Sequence, residues 1–415
     1  MLGRRPVAVG IHDRKPFDRG GKVRVNRFLQ GIRVLEIGNF ISGPLAGQIL
    51  AEMGAEVIKI ERPDGGDPFR HFTGEHMSPQ FCAHNRGKRS VVLDFGAEVG
   101  KEALLRLVET ADVLLENFRP DVLGRLGIGW EVMRERNPRL IYCNISGFGP
   151  TGPYAKRPAY DTVAQAMSGF FSQMLDPERP RIPGPAIGDA ISGMYAAMAI
   201  ASALAGRARD GKGHRLDIPM VEAMAAFSTD CFSRYYAAQA TPGPYERAAV
   251  SQSFAVRCAD GKFIGLHLSS PQKFWDALMA AVERPDIVAD TRFASRASRV
   301  DNYQDLSDAL NEAFASRPRD EWMARLDAND VPHAPIYNFE ELEADPQIAH
   351  MGTIYTIQHP TLGPLKAVQS PVFCDGAREE PASGPPELGE HSEIELRAVG
   401  FSDAEIARIT AAKAA

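Results

Sequence analysis

Ile32-Arg-Val-Leu-Glu-Ile37, then Gly38-Asn-Phe-Ile-Ser-Gly-Pro-Leu-Ala-Gly47, then Ala55-Glu-Val-Ile-Lys-Ile-Glu61 is the run that decides the fold. The first and last pieces are short, rich in aliphatic and β-branched residues, and read as strands. Residues 44–53 between them read as a helix, giving one β-α-β unit with a crossover of ordinary length. The pattern continues outward, with strands predicted at 90–94, 113–116 and 140–145 and a helix at 100–110. Strands alternating with helices predict an α/β fold, a Rossmann-like, doubly wound, mostly parallel sheet with helices on both faces.

Gly147-Phe-Gly-Pro-Thr-Gly-Pro153 stops the alternation. An apolar helix follows, then a turn at 211–214, a short strand at 215–219 and a helix over 221–238. Near residue 240 the composition changes. Residues 254–257 and 262–268, joined through Asp260-Gly261, predict a β-hairpin, and helices are expected at 271–282, 303–315 and 320–328. This is a second, smaller α+β domain. After Pro332-His-Ala-Pro-Ile336 the chain is expected to return to the first domain and to end in a helical region at 402–412. The predicted division is an arm at 1–29, a large domain at 30–240, a small domain at 241–335 and a returning segment at 336–415.

At 415 residues the chain exceeds one ordinary core. Its 44% hydrophobic and 24% charged residues are those of a soluble globular protein. A net charge of -6 argues against a general nucleic-acid binder. The five cysteines are scattered and without CxxC spacing, which suits a reducing cytoplasm and argues against structural zinc. Met1-Leu-Gly-Arg-Arg-Pro6 has no apolar core of a secretory signal. The apolar stretch 190–205 falls short of the ~20 residues a membrane crossing needs, and reads as a buried helix.

Between Arg181 and Arg207 the chain carries one charged residue, Asp189. It follows Gly188 at the head of the apolar helix. One reading is an N-cap, accepting hydrogen bonds from first-turn amides and worth ~1 kcal/mol. The other is a nucleophile, held ionised by those amides and by the positive helix end. The two are compatible.

The β-α-β unit lacks the G-x-G-x-x-G fingerprint of a dinucleotide site: Gly38, Gly43 and Gly47 have the wrong spacing, and Pro44 stands at the helix start. Anion-binding residues nonetheless collect at strand ends: Arg62, the stretch Arg86-Gly-Lys-Arg-Ser90, Asn117-Phe-Arg-Pro120 and Arg125. Loops beyond the carboxyl ends of parallel strands converge on one crevice, which places Arg62, Asn117, Phe118 and Arg125 together, either as a site for a phosphate-bearing nucleotide or as a solvated basic rim.

With these stretches in place, the chain resembles the class III coenzyme A transferases, the family of formyl-CoA transferase and carnitine CoA-transferase. The resemblance covers about residues 30 to 410. It rests on Gly31-Ile-Arg-Val-Leu-Glu-Ile37 with Ser42-Gly-Pro44, Gly54-Ala-Glu-Val-Ile-Lys-Ile-Glu-Arg62, Asn85-Arg-Gly-Lys-Arg-Ser90, Ala111-Asp-Val-Leu-Leu-Glu-Asn-Phe-Arg-Pro120, Tyr160-Asp161, Gly188-Asp189 and Leu388-Gly-Glu-His391.

The resemblance implies a catalytic aspartate at Asp189. It implies coenzyme A contacts at Ile41, Ser42, Arg62, Leu93, Asp94, Asn117, Phe118, Arg119 and Arg125, with Tyr160 and Asp161 beside the thioester. The substrates would be an acyl-CoA and a carboxylic acid, with no tightly bound cofactor, no metal, no nucleic acid and no membrane. The assembly would be an interlocked homodimer in the cytoplasm. Formyl-CoA transferases carry a glutamine where Ile41 stands and a run of four glycines that is missing here, which weakens formyl-CoA and oxalate as substrates. Racemases of the same fold use a histidine where Tyr160 stands, so the resemblance favours transfer. A non-catalytic acyl-CoA binder is the other alternative. The acyl pocket is expected around 173–181 and 248–253; Arg179, Arg181 and Arg247 read first as surface charges, with holding a dicarboxylate as the alternative. His391 reads as structural, and His84 as lining the CoA site or the core.

Overall fold

The computed structural model describes residues 28–74, 76–176, 178–182, 184–378 and 383–410. Nearly all of the expected arm at 1–29 lies outside them. In chain order the first elements are β1 (Arg33–Ile37), α1 (Ser42–Glu52), β2 (Glu56–Glu61), α2 (Pro79–Asn85), β3 (Arg89–Val92), α3 (Glu98–Glu109) and β4 (Val113–Glu116). Then come α4 (Val122–Arg125), α5 (Trp130–Arg136), β5 (Ile141–Ser146), α6 (Asp161–Met167), α7 (Ile187–Asp210) and β6 (Arg215–Pro219). The six strands form one sheet in the order β3-β2-β1-β4-β5-β6, with every neighbouring pair parallel.

These strands are continuous apolar runs because both faces of the sheet are covered. Leu35, Ile58, Val91 and Leu114 face one core with α3. Val34, Val57, Val113, Ile141 and Cys143 face the other, with Leu50 of α1 and Ala196 and Ile200 of α7. The chain winds outward from β1 to β3, then restarts at β4 on the other side. β1 and β4 are therefore adjacent at a topological switch point, where the loops after them part and leave a crevice.

Helix α7 begins at Ile187, three residues before the predicted start at 190, because Pro185 precedes the first turn without interrupting it. It packs tightly against α1: a Cβ on Gly193 would stand 2.8 Å from the Ser42 carbonyl oxygen. At its far end Arg207 binds Asp112 at 2.6 Å, and Gly211 ends the helix with φ +74°. The helix is less buried than the sequence suggested, with Met194 and Met198 each 56% exposed. By length and apolar composition alone its 24 residues are enough to cross a membrane. In this fold one face is instead committed to α1 and the sheet.

The helix predicted over 221–238 is two helices, α8 (Met220–Phe227) and α9 (Thr229–Ala238). They break at buried Ser228, whose N–H is shared between the Met224 and Ala225 carbonyls. The short α10 (Glu246–Ser251) leads to β7 (Ser253–Arg257) and β8 (Phe263–His267), the predicted antiparallel hairpin turning at Gly261. Helices α11 (Gln272–Val282), α12 (Pro285–Ala289), α13 (Arg296–Asp301), α14 (Tyr303–Phe314) and α15 (Arg319–Ala328) follow, and Trp275, Leu278, Phe314 and Trp322 fill their own core.

The third strand of this sheet, β9 (His333–Pro335), is a correction: it pairs antiparallel with β8 where a connection was expected. Its prolines, Pro332 and Pro335, are compatible with a strand only at an edge. After α16 (Phe339–Ala344) and α17 (Pro346–Met351) comes a second unpredicted feature, the hairpin of β10 (Ile354–His359) and β11 (Gly363–Val368). The returning segment ends in α18 (Ser392–Ala398) and α19 (Asp403–Thr410). Leu396, Phe401, Ile406 and Ile409 complete the core under α3, and Glu395 pairs with both Arg33 and Arg89. The fold is thus mixed α/β, with a large parallel sheet and a small antiparallel one.

Candidate active site

Polar groups buried inside the first β-α-β unit shape the loop after β1. Glu36 receives Lys59 at 2.9 Å on one oxygen and Lys88 at 2.6 Å on the other, and all three side chains are fully buried. Lys59 also reaches Asp67 at 2.9 Å and the Gly38 carbonyl at 2.6 Å. Lys88 reaches the Pro44 carbonyl at 2.8 Å and Asn85 at 2.9 Å. Burial opposes the Glu36 charge, but Lys59 and Lys88 outweigh it and hold the carboxyl below its usual range. For Lys88 burial is the larger effect and pulls the ammonium down to about 8. Asp67 in turn accepts the Phe40 N–H at 3.2 Å, supporting Phe40 in a left-handed conformation at φ 63°. The cluster is a polar floor that fixes both ends of the loop 38–44.

The opposite bank is the end of β4. Asn117 accepts the Asn39 N–H at 2.9 Å and donates to the Asn39 carbonyl at 2.8 Å and to the Ser42 hydroxyl at 3.1 Å. One side chain thus joins the two loops at the switch point. Glu116 beneath it accepts from the Phe118 N–H at 2.7 Å, Tyr142 at 2.9 Å and Asn144 at 2.6 Å. Burial outweighs these bonds and pushes Glu116 up to about 7.

Asp189 lies inside the first turn of α7, whose N-cap position is Ala186, and among the described residues its carboxyl makes no capping bond. That corrects the N-cap reading: the early helix start moves the residue from cap to interior. The acceptor for its amide is Asp161, the first residue of α6, whose Oδ1 takes the Asp189 N–H at 3.1 Å. Gln165 donates to the other Asp161 oxygen at 2.6 Å. Burial, and then the Asp161 charge, push the Asp189 carboxyl up to about 7. It is therefore not held strongly ionised, as the sequence alone suggested. Gly188 suits this pairing, since a Cβ there would stand a tight 3.1 Å from Asp161 Oδ1.

Asp189 opens on a cavity of about 210 Å³. Of the residues singled out from the sequence, Ser42, Asn117, Phe118, Arg119 and Tyr160 share it. Tyr160 stands edge-on to Phe40 at 6.0 Å. The others do not line it, which corrects the expectation that Arg62 and Arg125 share one crevice with Asn117 and Phe118. Arg62 is exposed beyond β2, bonded to the Gly66 carbonyl at 3.0 Å and 3.4 Å from Asp64. Strands β2 and β4 flank β1, so Arg62 stands roughly 10 Å along the sheet edge from Asn117. Leu93 is buried in the core beyond β3, and Asp94 accepts the Gly96 N–H at 2.8 Å. Arg125 is exposed at the end of α4, and Ile41 packs against the small apolar cluster of Phe69 and Phe81.

Arg179, Arg181 and Arg247 are exposed and do not line the cavity. His391 accepts the Ser90 N–H at 3.3 Å, a structural contact. His84 is driven down to about 4, mainly by burial. Sequence reasoning missed Phe40, Ser146, Arg157 and Met220, which also line the cavity. Phe40 was detectable as the aromatic of the loop following β1. The missing signal for Arg157 is its loop, read only as punctuation.

A family model described as CoA-transferase family III matches residues 29–392. The chain is 34% identical to succinate–glutarate CoA-transferase of Agrobacterium fabrum, over 88% of this chain and 93% of that protein. It is also 34% identical to a probable fatty acyl-CoA transferase of Mycobacterium tuberculosis, over 89% of this chain and 97% of that protein. The crystal structure of a CAIB/BAIF family protein from Brucella suis superposes with a TM-score of 0.80 at 33% identity, covering 89% of this chain and 98% of that one.

Proposed function

The chain belongs to CoA-transferase family III, and from that membership we propose that it moves CoA from an acyl-CoA to a free carboxylic acid through an aspartyl-CoA intermediate on Asp189. The observation that carries this reading is the Asp189 carboxyl, which opens on the cavity with no hydrogen bond to it among the described residues.

The ionised carboxylate attacks the thioester carbonyl, the C–S bond breaks, and an aspartyl–acyl anhydride forms as CoA thiolate leaves. The thiolate then attacks the aspartyl carbonyl and expels the donor's carboxylate, leaving an aspartyl-CoA thioester. The acceptor carboxylate repeats the sequence in reverse order. Every step exchanges one activated acyl group for another, so no ATP is consumed. A serine or cysteine could not pass through an acid anhydride. The positive end of α7 favours negative charge at Asp189, and the near-neutral carboxyl makes it a stronger nucleophile than an ordinary aspartate once ionised.

The CoA nucleotide is proposed to lie along the carboxyl edge of the sheet, over Arg62, Leu93 and Asp94, with its pantetheine arm descending past Asn117 and Phe118 to Asp189. Arg119 and Arg125 would meet phosphates from the β4 side. A homodimer is proposed as well, supported by the exposed apolar residues Met194, Met198 and Phe227 on α7 and α8.

The test is exchange of labelled carboxylic acid into acyl-CoA, measured with the intact enzyme and with Asp189→Ala. The reading requires exchange in the first and its loss, with CoA binding retained, in the second. An Asp189→Ala enzyme that still exchanges label overturns it.

A further inference from the structure

Arg157 has no part in the reaction as written, yet it lines the same cavity as Asp189. It lies in the segment between β5 and α6, where its N–H closes a turn onto the Tyr154 carbonyl at 2.9 Å. Its guanidinium lies over the Tyr154 ring, 3.8 Å from the centroid, and Tyr154 is itself edge-on to Phe148 at 5.9 Å. The stacking holds the plane of the fork on an otherwise exposed side chain. Among the described residues no carboxylate pairs with it, whereas Arg33, Arg70, Arg86 and Arg207 each hold one.

Asp189 and Arg157 both line this cavity, together with Asn117 and Tyr160. Ile145, Ala159 and Met220 give the walls an apolar part. Ser146 is buried on the same cavity, and among the described residues its hydroxyl has no hydrogen-bond partner. A buried hydroxyl left unpaired costs ~1–3 kcal/mol, which a polar ligand atom would relieve. The volume, about 210 Å³, lies below the ~300–1,000 Å³ of sites for drug-sized ligands.

A nucleophile and a stacked guanidinium without a carboxylate partner among the described residues, on one cavity whose walls are partly apolar, suit a molecule charged at both ends. We propose that Arg157 binds the second carboxylate of a short dicarboxylic acid, as the free acceptor or as its CoA half-thioester, while the first carboxyl group reacts at Asp189. The inference rests on the reading of Asp189 as the nucleophile. The second carboxylate forms and breaks no covalent bond. It makes charge-assisted, potentially bidentate hydrogen bonds to the fork of Arg157, which a monocarboxylic acid of the same length cannot make. A fatty acyl chain offers Arg157 no charge to pair.

The experiment compares glutarate with pentanoate as acceptors, in the intact enzyme and in Arg157→Met, with Arg157→Lys as the charge-retaining control. The intact enzyme is expected to prefer glutarate by about tenfold or more in kcat/KM. With acetyl-CoA as the donor, which has no second carboxylate, Arg157→Met is expected to lose that preference through a rise in KM for glutarate, with KM for acetyl-CoA changed by less than about twofold, and Arg157→Lys to lie between them. The assignment is overturned by an intact enzyme that does not prefer the dicarboxylate, or by a preference that survives in Arg157→Met. A rise in the acyl-CoA KM with the acceptor preference intact would instead give the guanidinium to the CoA phosphates. Failure of the nucleophile assignment looks different, because Asp189→Ala would then leave transfer to both acids running.

Discussion

Asp161 Oδ1 accepts the backbone N–H of Asp189 at 3.1 Å, so the carboxylate that anchors the first turn of α7 also stands beside the carboxyl proposed to react. One group therefore has two effects on the nucleophile. It fixes the peptide that carries Asp189, and its negative charge adds to burial in raising the Asp189 pKa to about 7. A carboxylate raised in this way is more basic and more nucleophilic when ionised, at the cost of being partly protonated near neutrality.

The acid side of the pH profile follows from that pair. The kcat/KM for acyl-CoA is expected to fall below about pH 7 as Asp189 takes up its proton. In Asp161→Asn the amide oxygen still accepts the Asp189 N–H, but the like charge is gone. The acid limb then moves to lower pH, while burial keeps it above the ordinary aspartate range. A limb that stays in place in Asp161→Asn contradicts the coupling.

Asp189 should also destabilise the fold, with a definite sign in pH. Its folded pKa is raised from 3.8 to about 7. Below 3.8 both states are protonated and nothing is lost. Between the two values the unfolded chain ionises first, so stability falls as pH rises, and the loss is complete above about 7. Asp189→Asn is therefore expected to be more stable than the parent by about 1–3 kcal/mol at pH 8 and unchanged near pH 3.5. Urea unfolding at the two pH values reads this directly; a variant less stable at pH 8 contradicts it.

The polar floor has a steric test at Gly47. A Cβ there would stand 1.9 Å from Glu36 Oε2, the oxygen that pairs with Lys88. Gly47→Ala must displace Glu36 from two buried ammonium groups. Breaking such a buried arrangement typically costs ~3–5 kcal/mol. A large drop in the urea midpoint is expected, although alanine is otherwise the better helix former. Stability equal to or above that of the parent would refute the packing.

The sequence made the large sheet legible because alternating strands and helices leave a strong pattern, and β4 and β6 fall where it predicted. The edge strand β9 and the hairpin of β10 and β11 were not legible. β9 has three residues beside prolines, and the exposed hairpin has neither a strong apolar alternation nor a continuous buried run. At the site, the glycine before Asp189 and the lone charge in an apolar helix were readable signs. The Asp161 partnership was not, because it depends on α7 starting three residues early and on α6 lying against it. Lys59 and Lys88 were visible as charges around apolar strand cores, but only the fold shows that they converge on Glu36.

The central claim is a covalent bond between Asp189 and the transferred group. Incubating the enzyme with acyl-CoA and no acceptor, adding hydroxylamine, and mapping the digested protein by mass spectrometry tests it most directly. The account predicts an acyl-CoA-dependent hydroxamate on the peptide containing Asp189, located at that residue, and loss of activity in proportion to it. An enzyme that turns over acyl-CoA and carboxylic acid, yet gives no hydroxamate at Asp189, would contradict it.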